Sequence, residues 1–421
     1  MKTPQLATAL LGALLLTHPL AAQAGSGHDY GGLQLSGNLA VHGDVVHTMD
    51  GAPIQDGLVL IRDGKIAYVG PAADRMYTAD MVVLRGAVVT PGLVDAHGTL
   101  GLTGITNQPG DQDQLDRSEP AQPELRALDA YNARDPLVAW VRSHGTTTVH
   151  TGHAPGALIS GQTMIVKLRG DTVDEAVLVP AAMVAATLGD GGRNPAEGKA
   201  PGTRAKSVAM LRGELIAASD YAAKREAEPG TARDLRKETL ARVLSGELPL
   251  LVTAHRHQDI LGAIRVAQEF GIQLVLDGAA DVPSVLDEVR AAGVPVLVHP
   301  PMMRTGSAAG EQANASFETP AILDREGIPF ALQTGFEGYV PKVRVLLFEA
   351  AIAARYGLPF RDTLESVTLG PARILGIDDR VGSLEVGKDG DLAIFDGDPF
   401  EYRTHCLSVV IDGKLLSNEA R

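Results

Sequence analysis

The middle of the chain alternates short apolar runs with amphipathic segments. Residues 259–270 and 282–292 carry apolar side chains at helical spacing. The apolar runs predict strands, and these are residues 146–150, 164–167, 250–255, 273–276, 294–299 and 329–333. Strands that alternate with helices are typical of βα units and a parallel sheet. We therefore predict an α/β fold, a (β/α)8 TIM-type barrel over residues 91–384, with a further strand ending at His97. The remaining strand is placed within 121–141, and an irregular segment there is the alternative.

Both ends of the chain carry a different, hairpin-like pattern. Residues 57–62 and 65–69 flank Asp63-Gly64, and residues 409–411 and 414–416 flank Asp412-Gly413. Asp-Gly between two β-rich runs is a strong hairpin signal. Isolated hairpins are marginally stable in water. The pattern predicts one small β-sandwich lobe built from residues 25–90 and 385–421, and two unrelated hairpins are the alternative.

The first 24 residues have the pattern of a secretory signal peptide. Lys2 precedes an apolar run over residues 6–16, and Ala22-Gln23-Ala24 is a small-x-small cleavage site. The run is too short for a membrane anchor, and no cysteine follows it to carry a lipid. We expect cleavage after Ala24, a periplasmic or secreted product, and no membrane association afterwards.

Composition narrows the classes of partner and of covalent chemistry. Hydrophobic residues make up 45% and charged residues 21%, as in a globular chain. The 51 acidic residues outnumber the 37 basic ones, which argues against nucleic acid as a partner. Cys406 is the only cysteine, so no disulfide can form within the chain. Nucleophilic-serine and phosphate-loop motifs are absent from the sequence, so no catalytic nucleophile can be named.

Several motifs resemble the amidohydrolase superfamily, specifically its imidazolonepropionase-like and prolidase-like members. These motifs are Val89-Thr90-Pro91-Gly92-Leu93-Val94-Asp95-Ala96-His97, Gly161-Gln162, Ala254-His255-Arg256 and Val381-Gly382-Ser383-Leu384-Glu385-Val386-Gly387-Lys388-Asp389-Gly390-Asp391-Leu392. The resemblance implies metal-dependent hydrolysis of amide or cyclic amide bonds at the carboxyl ends of the barrel strands.

The resemblance also implies a ligand set, which this chain matches only in part. His97, Lys167 and His255 match family ligands, and Lys167 would bind metal only as a neutral amine or carbamate. Asp277 stands where the sixth-strand His is expected. The remaining two positions are Thr99, in place of the second His of a His-x-His pair, and Gly335, in place of the eighth-strand Asp. Three of the six positions are therefore altered.

Each surviving residue also has a structural interpretation. His97 would be a hydrogen-bonded residue on the barrel rim, Lys167 an ammonium paired with an acid such as Asp277, His255 a partner of nearby backbone, and Asp277 a helix cap. Alternatively, additional rim ligands would complete a rearranged zinc site, and these are His150, His153 and His299.

Two hypotheses follow for the function. The first is a hydrolase of carbon–nitrogen bonds in a small amide or dipeptide-like ligand, with one divalent metal, most plausibly zinc. The second is a non-catalytic binding protein with no metal, acting as a homo-oligomer or as the partner of an intact homologue. Loss of both the second His and the Asp would remove metal affinity and proton transfer together.

Overall fold

The computed structural model of the chain describes residues 38–106, 108–193, 200–301, 311–336 and 346–421. The predicted signal peptide lies outside the described residues. Within the described ranges, no helix combines the length and the apolar character that crossing a bilayer requires.

The described residues contain seventeen strands and ten α-helices. The strands are β1 Leu39–Val46, β2 Ile54–Arg62, β3 Lys65–Pro71, β4 Val82–Pro91, β5 Leu93–Gly98, β6 Thr146–Thr151, β7 Ile159–Gln162, β8 Met164–Lys167, β9 Val177–Val179, β10 Val184–Thr187, β11 Leu250–Ala254, β12 Leu274–Gly278, β13 Val296–Val298, β14 Phe330–Ala331, β15 Leu392–Phe395, β16 Cys406–Ile411 and β17 Lys414–Ser417. The helices are α1 Pro136–Arg142, α2 Val173–Ala176, α3 Arg204–Ala227, α4 Leu235–Leu244, α5 His257–Phe270, α6 Leu286–Ala292, α7 Thr319–Arg325, α8 Leu346–Arg355, α9 Phe360–Glu365 and α10 Leu369–Ile374.

Strands from both ends of the chain form one seven-stranded sheet in the order β17-β16-β15-β4-β1-β2-β3. The two predicted hairpins are confirmed, because β2 pairs antiparallel with β3 and β16 with β17. Asp63 and Asp412 both have φ of 49°, the left-handed conformation that tight hairpin turns require. The second layer of the predicted sandwich and the domain boundaries stay predictions.

The remaining strands form two sheets, β14-β13-β12-β11-β10-β7 and β5-β6-β8-β9. Pairing is parallel from β10 to β14 and between β5 and β6. By contrast, β7 and β8 run antiparallel to their neighbours β10 and β6. Hydrogen bonds join the outer edges, since Ala96 N–H donates to Leu332 O (3.4 Å) and Gly335 N–H donates to His97 O (3.0 Å).

Side chains from these strands meet in one interior cluster. Every second residue of a strand points to the same face. The members are Ala96 of β5, Ala185 of β10, Leu251 of β11, Val275 of β12, Leu297 of β13 and Ala331 of β14, together with Met183. The fold is therefore α/β and TIM-barrel-like, and its strands do not join into a single closed, all-parallel ladder in the described residues.

One predicted strand was misplaced. Residues 121–135 form turns and a short 3₁₀ helix, and residues 136–142 form α1. The strand that fills this role is β10, over Val184–Thr187, between β7 and β11. Its sequence Val-Ala-Ala-Thr is short and half alanine, which has low strand propensity, so tertiary packing rather than local preference determines it.

Candidate active site

One layer nearer the carboxyl ends of the barrel strands, polar side chains replace the apolar side chains of the interior cluster. Thr253, Asp277 and Gln333 each lie two residues beyond the interior residues Leu251, Val275 and Ala331. The strand period of two therefore aims all three at the barrel axis, at the carboxyl ends of the strands. Catalytic groups of TIM-type barrels occupy this end.

His97 and Asp277 form a buried pair at this level. His97 Nδ1 lies 3.4 Å from Asp277 Oδ1, and the two residues are 4% and 3% exposed. Gln333 donates its amide to Asp277 Oδ1 (2.7 Å), and Thr253 donates its hydroxyl to Asp277 Oδ2 (2.5 Å). Both oxygens of the carboxylate are thus held in place.

The surroundings of the pair favour its ionised form. Burial disfavours a charged imidazole, yet Asp277, helped by Asp95, outweighs burial and raises the pKa of His97 above its ordinary value. Burial likewise opposes ionisation of Asp277, but His97 and the hydrogen bonds from Thr253 and Gln333 lower the pKa of Asp277 to about 2. His97 Nε2 is buried and has no hydrogen-bond partner among the described residues.

Asp95 supports His97 from within the same strand. Its Oδ1 accepts from the backbone N–H groups of Thr334 (3.0 Å) and His97 (3.3 Å), and its Oδ2 accepts from the Thr334 hydroxyl (2.5 Å). Burial raises the pKa of Asp95 to about 6 against these hydrogen bonds. Asp95 therefore fixes the backbone at the end of β5, from which His97 projects.

His255 lies at the end of β11 and is held by a loop residue. Gln312 donates its side-chain amide to His255 Nε2 (3.0 Å), and His255 Nδ1 has no partner among the described residues. Burial lowers the pKa of His255, although Asp277 and Asp281 oppose the shift. The imidazole is therefore neutral, with its hydrogen on Nδ1.

Two of the three other rim imidazoles, His150 and His299, have partners outside the His97–Asp277 pair. His150 Nδ1 donates to Ala96 O and its Nε2 accepts from the Thr163 hydroxyl, both at 2.7 Å. His299 lies 3.3 Å from Pro300 O through Nδ1 and 3.4 Å from the Thr319 hydroxyl through Nε2.

The His153 ring packs against Gly161, where a Cβ would lie 2.5 Å from Nε2, and neither of its nitrogens has a hydrogen-bond partner among the described residues. Burial lowers the pKa of His150 to about 3 and the pKa of His153 and His299 to about 4. All three are neutral.

Lys167 is placed away from these residues. Because β8 runs antiparallel to β6, Lys167 pairs with Thr148 near the start of β6, whereas His150 is at the other end. Its ammonium contacts the carboxylates of Asp412 (2.5 Å), Asp389 (2.6 Å) and Asp391 (3.0 Å). Lys167 is therefore paired with these three acids instead of Asp277.

The ionisation of Lys167 also disagrees with a ligand role. Burial alone would lower the pKa of Lys167, but the surrounding carboxylates outweigh burial and raise it. A carbamate forms only on the neutral amine, which this environment disfavours. We therefore leave Lys167 out of the candidate site.

The two positions that lack a family ligand, Thr99 and Gly335, both have structural contacts. Thr99 is buried, and its backbone carbonyl accepts from the N–H groups of Leu102 and Thr103. Gly335 has φ of 66°, and a Cβ there would lie 2.7 Å from Pro300 Cγ. An aspartate at 335 would be both strained and crowded.

These side chains do not fit a catalytic metal. Such a zinc ion takes three protein ligands, and the described residues contain no group of three or more His, Cys, Asp or Glu side chains able to hold one. Both Asp277 oxygens and both His150 nitrogens are hydrogen-bonded. Nitrogens without a partner among the described residues remain on His97, His255 and His153, and the His153 ring packs against Gly161.

The family model described as "Amidohydrolase family" matches residues 88–416. This match covers most of the chain, from the end of β4 to β17. The chain therefore belongs to the amidohydrolase family, and the resemblance inferred from its motifs is confirmed.

Individual relatives place the chain near one branch of the family. Imidazolonepropionase of Micrococcus luteus is 26% identical over 377 residues, which cover 82% of this chain and 89% of the relative. Amidohydrolase tasK of Hapsidospora irregularis is 24% identical over 397 residues, 85% of this chain, which spans only 39% of that longer protein. A solved amidohydrolase from Thermotoga maritima MSB8 is 29% identical with a TM-score of 0.85, and the match covers 90% of this chain and 100% of that one.

The sequence did not point to Thr253, Gln333 or Gln312 as site residues. Thr253 and Gln333 lie two residues from predicted apolar interior positions, so strand period alone could have identified them. Gln312 lies in an aperiodic loop and carried no signal. The pairing of His97 with Asp277 joins strands 180 residues apart and depends on barrel topology.

Proposed function

We propose that the protein hydrolyses carbon–nitrogen bonds in small amide or dipeptide-like compounds, with His97 and Asp277 as the proton-transfer pair. The observation that carries the proposal is the buried pair at the strand ends of an amidohydrolase-family fold, with His97 Nε2 free. Asp277 on Nδ1 orients the ring and leaves Nε2 for the reacting groups.

The proposed reaction needs only water as the second reactant. Neutral His97 accepts a proton from water through Nε2, and the water oxygen attacks the carbonyl carbon. The imidazolium, stabilised by Asp277, then returns the proton to the leaving nitrogen as the carbon–nitrogen bond breaks. The products are a carboxylic acid and an amine. The free N–H of His255 is a second group available to hydrogen-bond the carbonyl oxygen.

The test is an assay of the full chain on a panel of N-acyl amino acids, dipeptides and small cyclic amides, with amine release as the readout. We expect turnover that falls about 10²–10⁴-fold in Asp277→Asn, as for loss of general acid–base catalysis. His405→Gln is the matched control, because His405 pairs with Asp396 at 2.9 Å on the surface. Turnover that persists unchanged in Asp277→Asn would contradict the proposal.

A second candidate function is a non-catalytic binding protein, alone or as the partner subunit of an intact homologue. Gly335 favours it, because the position of the family's proton-transferring acid carries no side chain. Saturable binding of an N-acyl amino acid or dipeptide, measured by calorimetry, without turnover of any panel compound would support this second function.

We also propose that the protein is exported. The pattern of Lys2, the apolar run and Ala22-Gln23-Ala24 supports cleavage after Ala24. Amino-terminal sequencing of protein recovered from the periplasm or medium should begin at Gly25, and an intact Met1 on a cytoplasmic product would contradict export.

A further inference from the structure

We propose that this site works without a metal ion, and that the buried, hydrogen-bonded His97–Asp277 pair stands in place of one. The inference rests on the proposed function, because it states how the same site would act on a carbonyl group. It follows from the way in which the side chains at the strand ends are already bonded to one another.

The first step is the role of Asp277, which is the carboxylate that contacts the His97 imidazole ring. Its two oxygens receive the Gln333 amide, the Thr253 hydroxyl and His97 Nδ1. These partners fill three of the about four acceptor positions of a carboxylate. Asp277 is therefore a counter-ion for His97.

The second step is the number of donors that remain. Among the described residues, His97 Nε2, His255 Nδ1 and both nitrogens of His153 lack hydrogen-bond partners, whereas the nitrogens of His150 are both hydrogen-bonded. A catalytic zinc site takes three protein ligands. The His153 ring packs against Gly161, and no three His, Cys, Asp or Glu side chains among the described residues are grouped so that they could hold a metal ion. The internal segments outside the described residues (position 107 and ranges 194–199, 302–310 and 337–345) contain no His or Cys, and their acidic residues are Glu197 and Glu337.

The third step is the local structure at two positions of the family ligand set, Gly335 and Lys167. At Gly335 the positive φ and the contact with Pro300 disfavour the family acid. The Lys167 ammonium is bound by three carboxylates near the opposite end of β6. At both positions the surrounding contacts thus suit the residue that is present and not a metal ligand.

The last step is the source of the positive charge that would act on the substrate in place of a metal ion. A metal would polarise the substrate carbonyl by its positive charge. Once His97 Nε2 has taken the proton of the attacking water, the imidazolium places one positive charge between Asp277 and Asp95, beside the negative charge that develops on the carbonyl oxygen. The ligand class is therefore a neutral or anionic carbonyl compound.

The test uses untagged full-length protein, expressed in medium supplemented with zinc, manganese and iron and purified without chelator. We expect far less than one metal per chain by elemental analysis, and a melting temperature that neither zinc nor EDTA changes. A ligand that binds only the native state would raise the melting temperature with its concentration.

Variants locate any metal that is found. Stoichiometric metal that is lost in His97→Gln or His255→Gln but kept in His405→Gln would overturn the inference. Metal kept in all three variants would lie elsewhere and support it. If either site variant fails to fold, X-ray absorption of the wild-type protein replaces it, and two imidazole nitrogens on the bound metal would overturn the inference.

The same samples separate this inference from the proposed function. Amide hydrolysis by metal-free protein supports both. Hydrolysis that appears only after metal is added overturns the metal-free site and leaves the proposed function standing. Metal-free protein that hydrolyses nothing on the panel contradicts the proposed function, while the metal and melting measurements still decide the inference.

Discussion

Replacing Lys167 with methionine should destabilise the protein strongly. The side chain is fully buried, and its ammonium is shared by the carboxylates of Asp389, Asp391 and Asp412. These acids belong to the C-terminal segment, whereas Lys167 ends β8. The ammonium therefore ties a strand of the barrel region to the seven-stranded sheet, and methionine keeps the length of the side chain but not its charge.

The magnitude follows from what each acid retains. Asp389 and Asp412 each keep another basic partner. Within the described part of the chain, the Asp391 carboxylate keeps only a backbone N–H, that of Asp412, at 2.7 Å. Removing one partner of a buried ion pair costs about 3–5 kcal/mol, and we expect a loss of this size in Lys167→Met at about pH 8.

The loss should shrink as the pH falls. Burial raises the pKa of Asp391 to about 6 even beside Lys167. An acid whose folded pKa lies above its unfolded value destabilises the fold once it ionises, so the penalty appears as the pH rises through the folded pKa. Without Lys167 this pKa rises further, and protonation of Asp391 relieves the variant at about pH 5.5.

Chemical unfolding followed by circular dichroism at both pH values measures the effect. Lys167→Met/Asp391→Asn should recover much of the loss at pH 8, because no carboxylate is left without a counter-ion. Lys237→Met is the control, since Lys237 pairs with Asp234 at 2.8 Å on the surface, where ion pairs contribute little. A Lys167→Met protein as stable as this control would refute the reasoning.

Two further predictions concern the candidate site. If neutral His97 is the base, kcat/KM rises with pH through the His97 pKa, which its surroundings raise above the ordinary value. Asp277→Asn removes the largest raising influence on this pKa and should move the rise in kcat/KM to lower pH. A rise that stays at the same pH in the variant would contradict the assignment. Gly335→Asp should lower stability by about 1–3 kcal/mol more than Gly376→Asp. The two glycines have φ of 66° and 68°, but only position 335 has a neighbour, Pro300, within 4 Å of a Cβ; equal melting temperatures would contradict the crowding argument.

Much of the fold could be predicted from local sequence. Asp63-Gly64 and Asp412-Gly413 determine their hairpins through turn chemistry that depends on neighbouring residues alone. The direction of β8 could not be predicted, because an apolar run has the same pattern in either direction. That direction decides the role of Lys167, since it places the side chain beside Thr148 and away from the carboxyl ends of the parallel strands.

The candidate site could be predicted only in part, for a similar reason. His97, His255 and Asp277 stand out because each ends a strand, and the structure joins His97 to Asp277. Whether His150 is a ligand or a structural residue depends on its contacts with Ala96 and Thr163, which come from other segments. Such contacts are set by packing and have no local sequence signature.

The most direct test of a metal-independent His97–Asp277 site is kcat/KM for amide hydrolysis by wild-type protein shown to be metal-free, beside His97→Gln prepared identically. We predict turnover by the metal-free wild type, a fall of about 10²–10⁴-fold in His97→Gln, and no change in His405→Gln. Wild-type activity that requires added metal, or a His97→Gln protein with the wild-type rate, would contradict it.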